Sequence, residues 1–198
     1  DVPVVILSRH GRKHLINPTN VNYRANIWAL KEEGCSHVIA ATACGSLRKK
    51  ISPGHFVFPD QFIDRTTKRI NTFFDGSDVK HIPMGSPFSS EIRNHLVKAC
   101  KFLGFEYHSR GTIVTIEGPR FSTKAESMMF RSWGCDIINM STVPEIILAR
   151  EMNLKYQSIA MSTDYDCWHE NKEEVTMEMI YEVMKKNVGN VKKLIKQV

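Results

Sequence analysis

The sequence predicts a layered α/β domain, because short apolar runs alternate with longer segments of helical periodicity along the chain. Its 198 residues fit one domain, and 42% hydrophobic with 24% charged residues is an ordinary composition for a folded protein. We predict six strands, at residues 4–7, 37–41, 55–59, 111–116, 136–140 and 156–161.

The helices between these strands have recognisable ends. A helix over 21–31 is expected to stop at Gly34, and one over 90–103 at Gly104. Glycine suits both positions because the residue after a helix often adopts a left-handed conformation.

Two pairs of residues predict further helix starts. Thr123 with Glu126, and Thr142 with Glu145, have the spacing of a capping box. Pro144 also fits the first turn of a helix.

Near the carboxyl end, apolar residues recur at three- and four-residue steps and form one stripe of a helix. The stripe consists of Met177, Ile180, Met184, Val188, Val191 and Leu194. Such a stripe is more often core than ligand cleft. Residues 64–82 are interpreted as a long loop, and long loops within compact domains are often functional.

Composition excludes several classes of function. The five cysteines are odd in number, far apart and without a Cys-x-x-Cys pair, so neither a disulfide framework nor a metal site is indicated, and a reducing cytoplasm fits best. The net charge of +6 includes lysines of the last predicted helix, and no basic run is interleaved with aromatic residues, so no nucleic-acid partner is expected. The apolar runs are too short for a bilayer, so no membrane partner is expected.

Two carboxylates after the last predicted strand are the most informative feature for function. Asp164 and Asp166 are one residue apart, and the period of two in a strand would place both on one face. Two acids this close do not both ionise cheaply, so one becomes a donor beside an acceptor. Adenine offers that complement, an acceptor ring nitrogen next to a donor amine. A solvated acidic turn and a metal-ligand pair remain as alternatives.

Groups suited to an anion follow three other predicted strands. Arg9 and His10 follow residues 4–7, Thr42 follows a run rich in small residues, and Ser141 follows residues 136–140. Arginine matches phosphate as a fixed fork, and small side chains expose backbone N–H groups. A surface turn, tight sheet packing and a helix cap are the respective alternatives.

An aromatic residue follows the strand predicted at 111–116. The turn at Gly118 and Pro119 projects Phe121, whose ring can stack on a base. A buried aromatic side chain within a turn is the alternative.

In their order along the chain, five motifs resemble those of the 5′-methylthioadenosine phosphorylases, a family of the purine nucleoside phosphorylase superfamily. The motifs lie at residues 9–12, 42–46, 115–122, 138–145 and 162–168. The resemblance implies a three-layer fold with a mixed central sheet flanked by helices. It also implies phosphorolysis of methylthioadenosine to adenine and 5-methylthioribose 1-phosphate, in purine and methionine salvage. A homotrimer with shared sites, no metal or organic cofactor, and a cytoplasmic and nuclear location are further implications.

The resemblance also assigns roles to residues. Phosphate, a co-substrate, is expected to be held by Arg9, His10, Thr42, Ala43 and Ser141. The expected nucleoside-binding residues are Phe121 and Ser122 near the base, Met140 along the ribose, Asp164 and Asp166 on adenine, and Met177, Ile180 and Tyr181 around the methylthio group. Asp164 is the expected general acid, and His81 is expected to reach the substrate of a neighbouring subunit.

The sequence departs from the family pattern in several places. Residues 1–198 are expected to form a single domain without the family's amino-terminal phosphate loop and carboxyl-terminal segment, and the loop before His81 is shorter than usual. Ser141 stands where threonine is common, and Tyr181 stands where leucine is usual. A phenol there can admit a more polar 5′ group. Two other functions remain open: cleavage of adenosine by a related phosphorylase, and a non-catalytic nucleoside-binding or assembly module.

Overall fold

The computed structural model describes residues 2–169 and 176–198. In that part of the chain the strands are β1 (His37–Ser46), β2 (Phe56–Val57), β3 (Gln61–Arg65), β4 (Tyr107–His108), β5 (Thr112–Ile116), β6 (Ile137–Asn139) and β7 (Lys155–Asp164). The α-helices are α1 (Tyr23–Glu32), α2 (Ser90–Leu103), α3 (Lys124–Ser132), α4 (Thr142–Glu151) and α5 (Met177–Gln197). None of these helices is both long enough and apolar enough to cross a bilayer.

The strands form one mixed sheet in the order β3-β5-β6-β1-β7-β2-β4. At its centre, β1 and β7 run parallel and pair from His37 with Lys155 to Gly45 with Asp164. Strand β6 runs antiparallel to β1 and pairs with its carboxyl-terminal part, at Gly45 and Ser46. The end of β6 therefore approaches the middle of β1.

Helices cover both faces of the sheet, as the side chains of β7 show. Tyr156 and Ala160 pack with α1 and α4, whereas Ile159 and Met161 pack with α2 and α5. Alternate residues of a strand point to opposite faces, so the two helix pairs form separate layers. The expected three-layer arrangement with a mixed central sheet is confirmed.

Five of the six predicted strands are present, and the prediction at residues 4–7 is wrong. This segment has no regular secondary structure and makes no ladder within the described residues, and Val4 and Ile6 are 71% and 92% exposed. Its β-branched residues favour extended backbone, but a strand also requires a hydrogen-bonded neighbour. The sequence did not predict β3 or β4, which are short and contain no fully buried residue.

Helix α2 has the predicted bounds and ends at Gly104, which is left-handed with φ of 69°. At α3 both halves of the capping box between Thr123 and Glu126 are formed. The second capping box is wrong, because Val143 is extended and no side chain caps α4. The carboxylate of Glu145 instead contacts Arg9, far away in the sequence.

Candidate active site

A cleft of about 520 Å³ lies along β1, bordered by α5 and by the ends of β5, β6 and β7. Twelve of the fourteen predicted site residues line it: Arg9, His10, Thr42, Ala43, Phe121, Ser122, Met140, Ser141, Asp164, Asp166, Ile180 and Tyr181. The structure therefore brings together side chains from distant parts of the chain. The side chain of Met177 is outside the described part of the structure.

Small residues of β1 make room for this cleft. The run from Thr42 to Ser46 belongs to the strand itself, not to a loop after it as predicted. A Cβ atom on Gly45 would lie 3.1 Å from Asp164 Oδ1 and 3.3 Å from Asp166 Cβ. Glycine at this position thus lets both acidic residues lie against the strand.

A turn, and not the alternation of a strand as predicted, brings the carboxyl groups of Asp164 and Asp166 together. Strand β7 ends at Asp164, and Asp166 has a left-handed φ of 49° at the start of a short 3-10 helix. The Asp166 N–H donates to Asp164 Oδ1 at 2.7 Å, and the Ser122 hydroxyl donates to Asp166 at 2.8 Å. This turn fixes the separation of the two side chains.

Burial raises the pKa of Asp164, and the nearby charge of Asp166 raises it further. Like-charge repulsion was the cause predicted from the sequence, but burial contributes more. Thr163 Oγ1 lies 2.7 Å from Asp164 Oδ2 and 3.2 Å from the carbonyl oxygen of Cys44. Since its one hydrogen can go to either acceptor, Thr163 can accept from a protonated Asp164 or donate to an ionised one.

Arg9 lies at the other end of the cleft in a dense set of contacts. Its Nε and Nη2 donate to the two carboxylate oxygens of Glu145, each at 2.8 Å, and Nη1 donates to the Ala41 carbonyl at 2.9 Å. Burial is the largest single influence and acts to lower the pKa of Arg9, but the charge of Glu145, its hydrogen bond and the nearby Tyr156 together outweigh burial, so the net shift is upward. Arg9 is therefore a permanent cation with N–H groups left for a ligand.

His10 has one ring nitrogen already engaged. Its Nδ1 lies 2.8 Å from the Ile16 carbonyl oxygen, which requires a proton on Nδ1. Burial lowers the pKa of His10, and His14 and Arg9 add to that effect. In the neutral ring, Nε2 is then an acceptor for a protonated ligand oxygen.

Asn139 anchors a buried group of hydroxyl side chains. Its amide nitrogen donates to the hydroxyl oxygens of Thr142 and Thr42, at 2.8 and 3.1 Å, while its Oδ1 accepts from Thr115 at 2.9 Å. All four residues are buried. The Ser141 hydroxyl oxygen lies 3.0 Å from that of Thr42, and when Thr42 donates to it, the hydrogen of Ser141 can turn to an anion.

Apolar residues of α5 form the remaining wall. Ile180, Met184, Val188 and Val191 line the cleft, whereas Leu194 of the same stripe packs into the core with α2. The predicted stripe therefore serves both as core and as cleft wall. Tyr181 also lines the cleft and is 54% exposed.

His81 does not line the cleft in this chain. It is exposed, in the irregular segment 66–89 between β3 and α2. The role expected for it at a neighbouring subunit stays a prediction.

The model of the family described as the phosphorylase superfamily matches residues 1–198. The chain belongs to the phosphorylase superfamily. It is 57% identical to the S-methyl-5′-thioadenosine phosphorylase of Danio rerio over 200 residues, 98% of this chain and 71% of that protein. Its identity to the enzyme of the same name from Anopheles gambiae is 55%, over 98% of this chain and 71% of that protein.

Solved structures from Schistosoma mansoni have the same fold. The methylthioadenosine phosphorylase in complex with adenine has a TM-score of 0.93 and 43% identity, over 96% of this chain and 73% of that chain. A substituted form of the adenosine/methylthioadenosine phosphorylase, in complex with methylthioadenosine, has a TM-score of 0.91 and 43% identity, with the same coverage. These matches confirm the expected family and fold.

Sequence reasoning missed an ion pair that supports this phosphorylase cleft. The side chain of Arg69 is 1% exposed, and its Nε donates to Glu117 Oε1 at 3.0 Å. Its terminal nitrogens donate to the carbonyl oxygens of Glu117, Met140 and Val143, at 2.7, 2.7 and 2.6 Å. Arg69 thus ties the long loop to the chain after β5, the chain after β6 and the start of α4. The polar composition of residues 64–82 was the sequence signal that pointed to a role for this loop.

Among the described residues, no three His, Cys, Asp or Glu side chains form a group that could hold a metal ion.

We expect Glu117→Gln to destabilise the protein by about 2 kcal/mol at neutral pH, because it weakens charged hydrogen bonds. Burial acts to raise the pKa of Glu117, but hydrogen bonds from Thr67, Thr19, Lys68 and Arg69 outweigh it and lower the pKa from 4.5 to about 2. A lowered carboxyl pKa stabilises the fold above pH 4.5, and this stabilisation is lost as the pH falls from 4.5 toward 2.

Urea unfolding between pH 7 and pH 3 measures this effect. The difference between wild type and Glu117→Gln should shrink across that window. The exposed Glu33→Gln is the control and should stay close to wild type at every pH. A difference for Glu117→Gln that does not change with pH would contradict the prediction.

Proposed function

We propose that this phosphorylase cleaves S-methyl-5′-thioadenosine with inorganic phosphate, giving adenine and S-methyl-5-thioribose 1-phosphate. One observation carries the proposal: a carboxyl pair suited to adenine and a cationic, hydroxyl-lined group suited to phosphate face one cleft. The names of the related enzymes and the nucleoside complexes of the solved structures support the same substrate.

The spacing along β1 fits a nucleoside between these two groups. Arg9 contacts the strand at Ala41, and the side chains of Asp164 and Asp166 lie beside it at Gly45. Four residues of a strand span about 13 Å, at roughly 3.3 Å each. This length accommodates a purine, a pentose and a phosphate in line, with Met140 along the pentose.

In the proposed reaction the bond from C1′ of the sugar to N9 of adenine breaks, and a phosphate oxygen forms a bond to C1′. Negative charge develops on the purine, and a protonated Asp164 neutralises it by donating its proton to N7. The proton that leaves monohydrogen phosphate balances the one taken up by adenine, so Asp164 is restored after each turnover. Phe121 packs on the base, and Ser122 holds Asp166 as an acceptor for the adenine amine.

The same reaction determines the co-substrate and indicates the metabolic setting. Phosphate acts as co-substrate, held by Arg9, His10, Thr42, Ala43 and Ser141, and we expect no metal or organic cofactor. The reaction fits purine and methionine salvage in the cytoplasm. The five cysteines, none of which forms a disulfide, support a reducing compartment.

The direct test is phosphate-dependent release of adenine from methylthioadenosine, followed by chromatography. We expect release only with phosphate present, and a sugar 1-phosphate in equal amount. Binding of the nucleoside without any adenine release would reject the enzyme and favour a non-catalytic nucleoside-binding module.

A second substrate, adenosine, is favoured by one observation. Tyr181 places a half-exposed phenol beside Ile180 at the 5′ end of the proposed site, and its hydroxyl can bind a 5′-hydroxyl group. The Schistosoma mansoni enzyme is named for both nucleosides. The ratio of kcat/KM for methylthioadenosine to that for adenosine decides between the two substrates, and we expect it to exceed one because Ile180 and Met184 are apolar.

Asp164→Asn should lower kcat by about two orders of magnitude or more, because an amide can donate a hydrogen bond but cannot transfer a proton. The wild-type rate should also fall as the pH rises through the raised pKa of Asp164, since only the protonated form is active. That limb of the pH profile should be absent from the residual activity of the variant. Asp60→Asn, at a carboxylate outside the cleft, is the control for charge loss and should retain kcat. Full activity in Asp164→Asn would contradict the role of Asp164 as general acid.

We also propose a homotrimer in which each site is completed by a neighbouring subunit. The residues of α5 form one apolar wall, yet a methylthio group gains affinity only where apolar area is covered on several sides, at about 25 cal/mol per Å². His81 is exposed on a loop outside its own cleft and is available to a second subunit.

His81→Ala should weaken binding of methylthioadenosine by several-fold and leave adenine binding within twofold, because the base site lies within one chain. Calorimetry with both ligands measures this, and the exposed His95→Ala on α2 is the matched control. Sedimentation that shows a monomer with full affinity for methylthioadenosine would refute the shared site.

A further inference from the structure

Glu145 is a buried carboxylate beside the proposed phosphate site, and its side chain is 7% exposed. It lies in the first turn of α4, where the sequence predicted a capping role. Its two oxygens instead accept two hydrogen bonds from Arg9, and Oε2 also accepts from the Tyr156 hydroxyl at 2.6 Å. Every one of these contacts joins α4 to another part of the fold.

The contacts of Glu145 decide which N–H groups of Arg9 are free. A guanidinium group has five N–H bonds, of which Glu145 takes two and the Ala41 carbonyl takes one. One N–H remains on Nη1 and one on Nη2. Two N–H groups on adjacent nitrogens match two oxygens of a phosphate.

Tyr156 in turn fixes Glu145. Its ring is 1% exposed on β7, and burial, with the charge of Glu145, raises the pKa of its phenol well above the usual range. The phenol therefore stays neutral and donates its hydrogen to Glu145. Ser158 donates to the Tyr156 oxygen at 3.5 Å, so the chain of hydrogen bonds runs from β7 through α4 to Arg9.

We infer that Glu145, supported by Tyr156, is a positioning residue for phosphate, and this rests on the phosphorolysis proposed above. Glu145 holds the guanidinium plane so that its two free N–H groups meet the anion. It also balances the charge of Arg9, which would otherwise be buried without a partner whenever phosphate is absent.

A purely structural ion pair is the competing explanation, and variants distinguish the two. Glu145→Gln keeps the shape but lacks the charge and replaces one acceptor with a donor, so KM for phosphate should rise about tenfold, the effect of roughly 1.4 kcal/mol. Tyr156→Phe removes one hydrogen bond, and the rise should be about threefold. In both variants KM for methylthioadenosine should stay within twofold of wild type.

Asp136→Asn is the matched control, because Asp136 pairs with Arg48 outside the cleft. It should lower the urea midpoint but leave KM for phosphate unchanged. In an Arg9→Met background, Glu145→Gln should cause no further rise in KM for phosphate, since Glu145 acts through Arg9.

Calorimetry with inorganic phosphate gives a readout that does not depend on turnover. If the wild-type protein releases no adenine, the proposed function fails, but a loss of phosphate affinity in Tyr156→Phe still supports Glu145 as a positioning residue. Unchanged phosphate affinity in both variants overturns the inference, as do equal losses for phosphate and nucleoside. Should Glu145→Gln not fold, Tyr156→Phe decides alone.

Discussion

The buried guanidinium of Arg69 is the contact on which the cleft depends. The chain after β5, the chain after β6 and the start of α4 each present a carbonyl oxygen to it, at Glu117, Met140 and Val143. These carbonyls lie where regular secondary structure ends and so lack the partners that a sheet or helix would supply. A buried cation is tolerated only when it is paired and fully hydrogen-bonded, and the Glu117 carboxylate supplies the pair.

The same device recurs on the other side of the cleft, where Arg9 pairs with Glu145. In both cases an arginine from an irregular segment is bound to a carboxylate that comes soon after a strand, at Glu117 directly after β5 and at Glu145 in the first turn of α4. Irregular backbone is normally the most mobile part of a domain, but a bidentate or multiply bonded guanidinium fixes its position. The groups that would meet substrate are therefore held before substrate arrives, which is what catalysis by positioning requires.

Much of the fold and of the cleft could be predicted from the sequence, because most of the sequence patterns involved are local. Alternating apolar runs predicted five strands, and polar residues near predicted strand ends indicated the anion-binding and acidic groups of the cleft, whereas the family resemblance supplied its other predicted residues. The failures were of two kinds. Residues 4–7 have strand-forming side chains but no hydrogen-bonded strand beside them in the described structure. Thr142 has the spacing of a capping box but precedes Val143, whose backbone is extended. Arg69 and Glu145 were missed because their partners are distant in the sequence, and Arg9 and Glu145 are 136 positions apart.

The two acidic residues of the cleft show why spacing alone could not assign their roles. Asp164 ends a strand buried between two helix layers, and burial is the main reason that its pKa rises. Asp166 lies one turn later, where the Ser122 hydroxyl bonds to its carboxylate at 2.8 Å. Two chemically identical side chains thus meet different surroundings within three residues. Their surroundings favour a proton on Asp164 and an acceptor at Asp166, and this asymmetry is what a purine with a donor next to an acceptor requires.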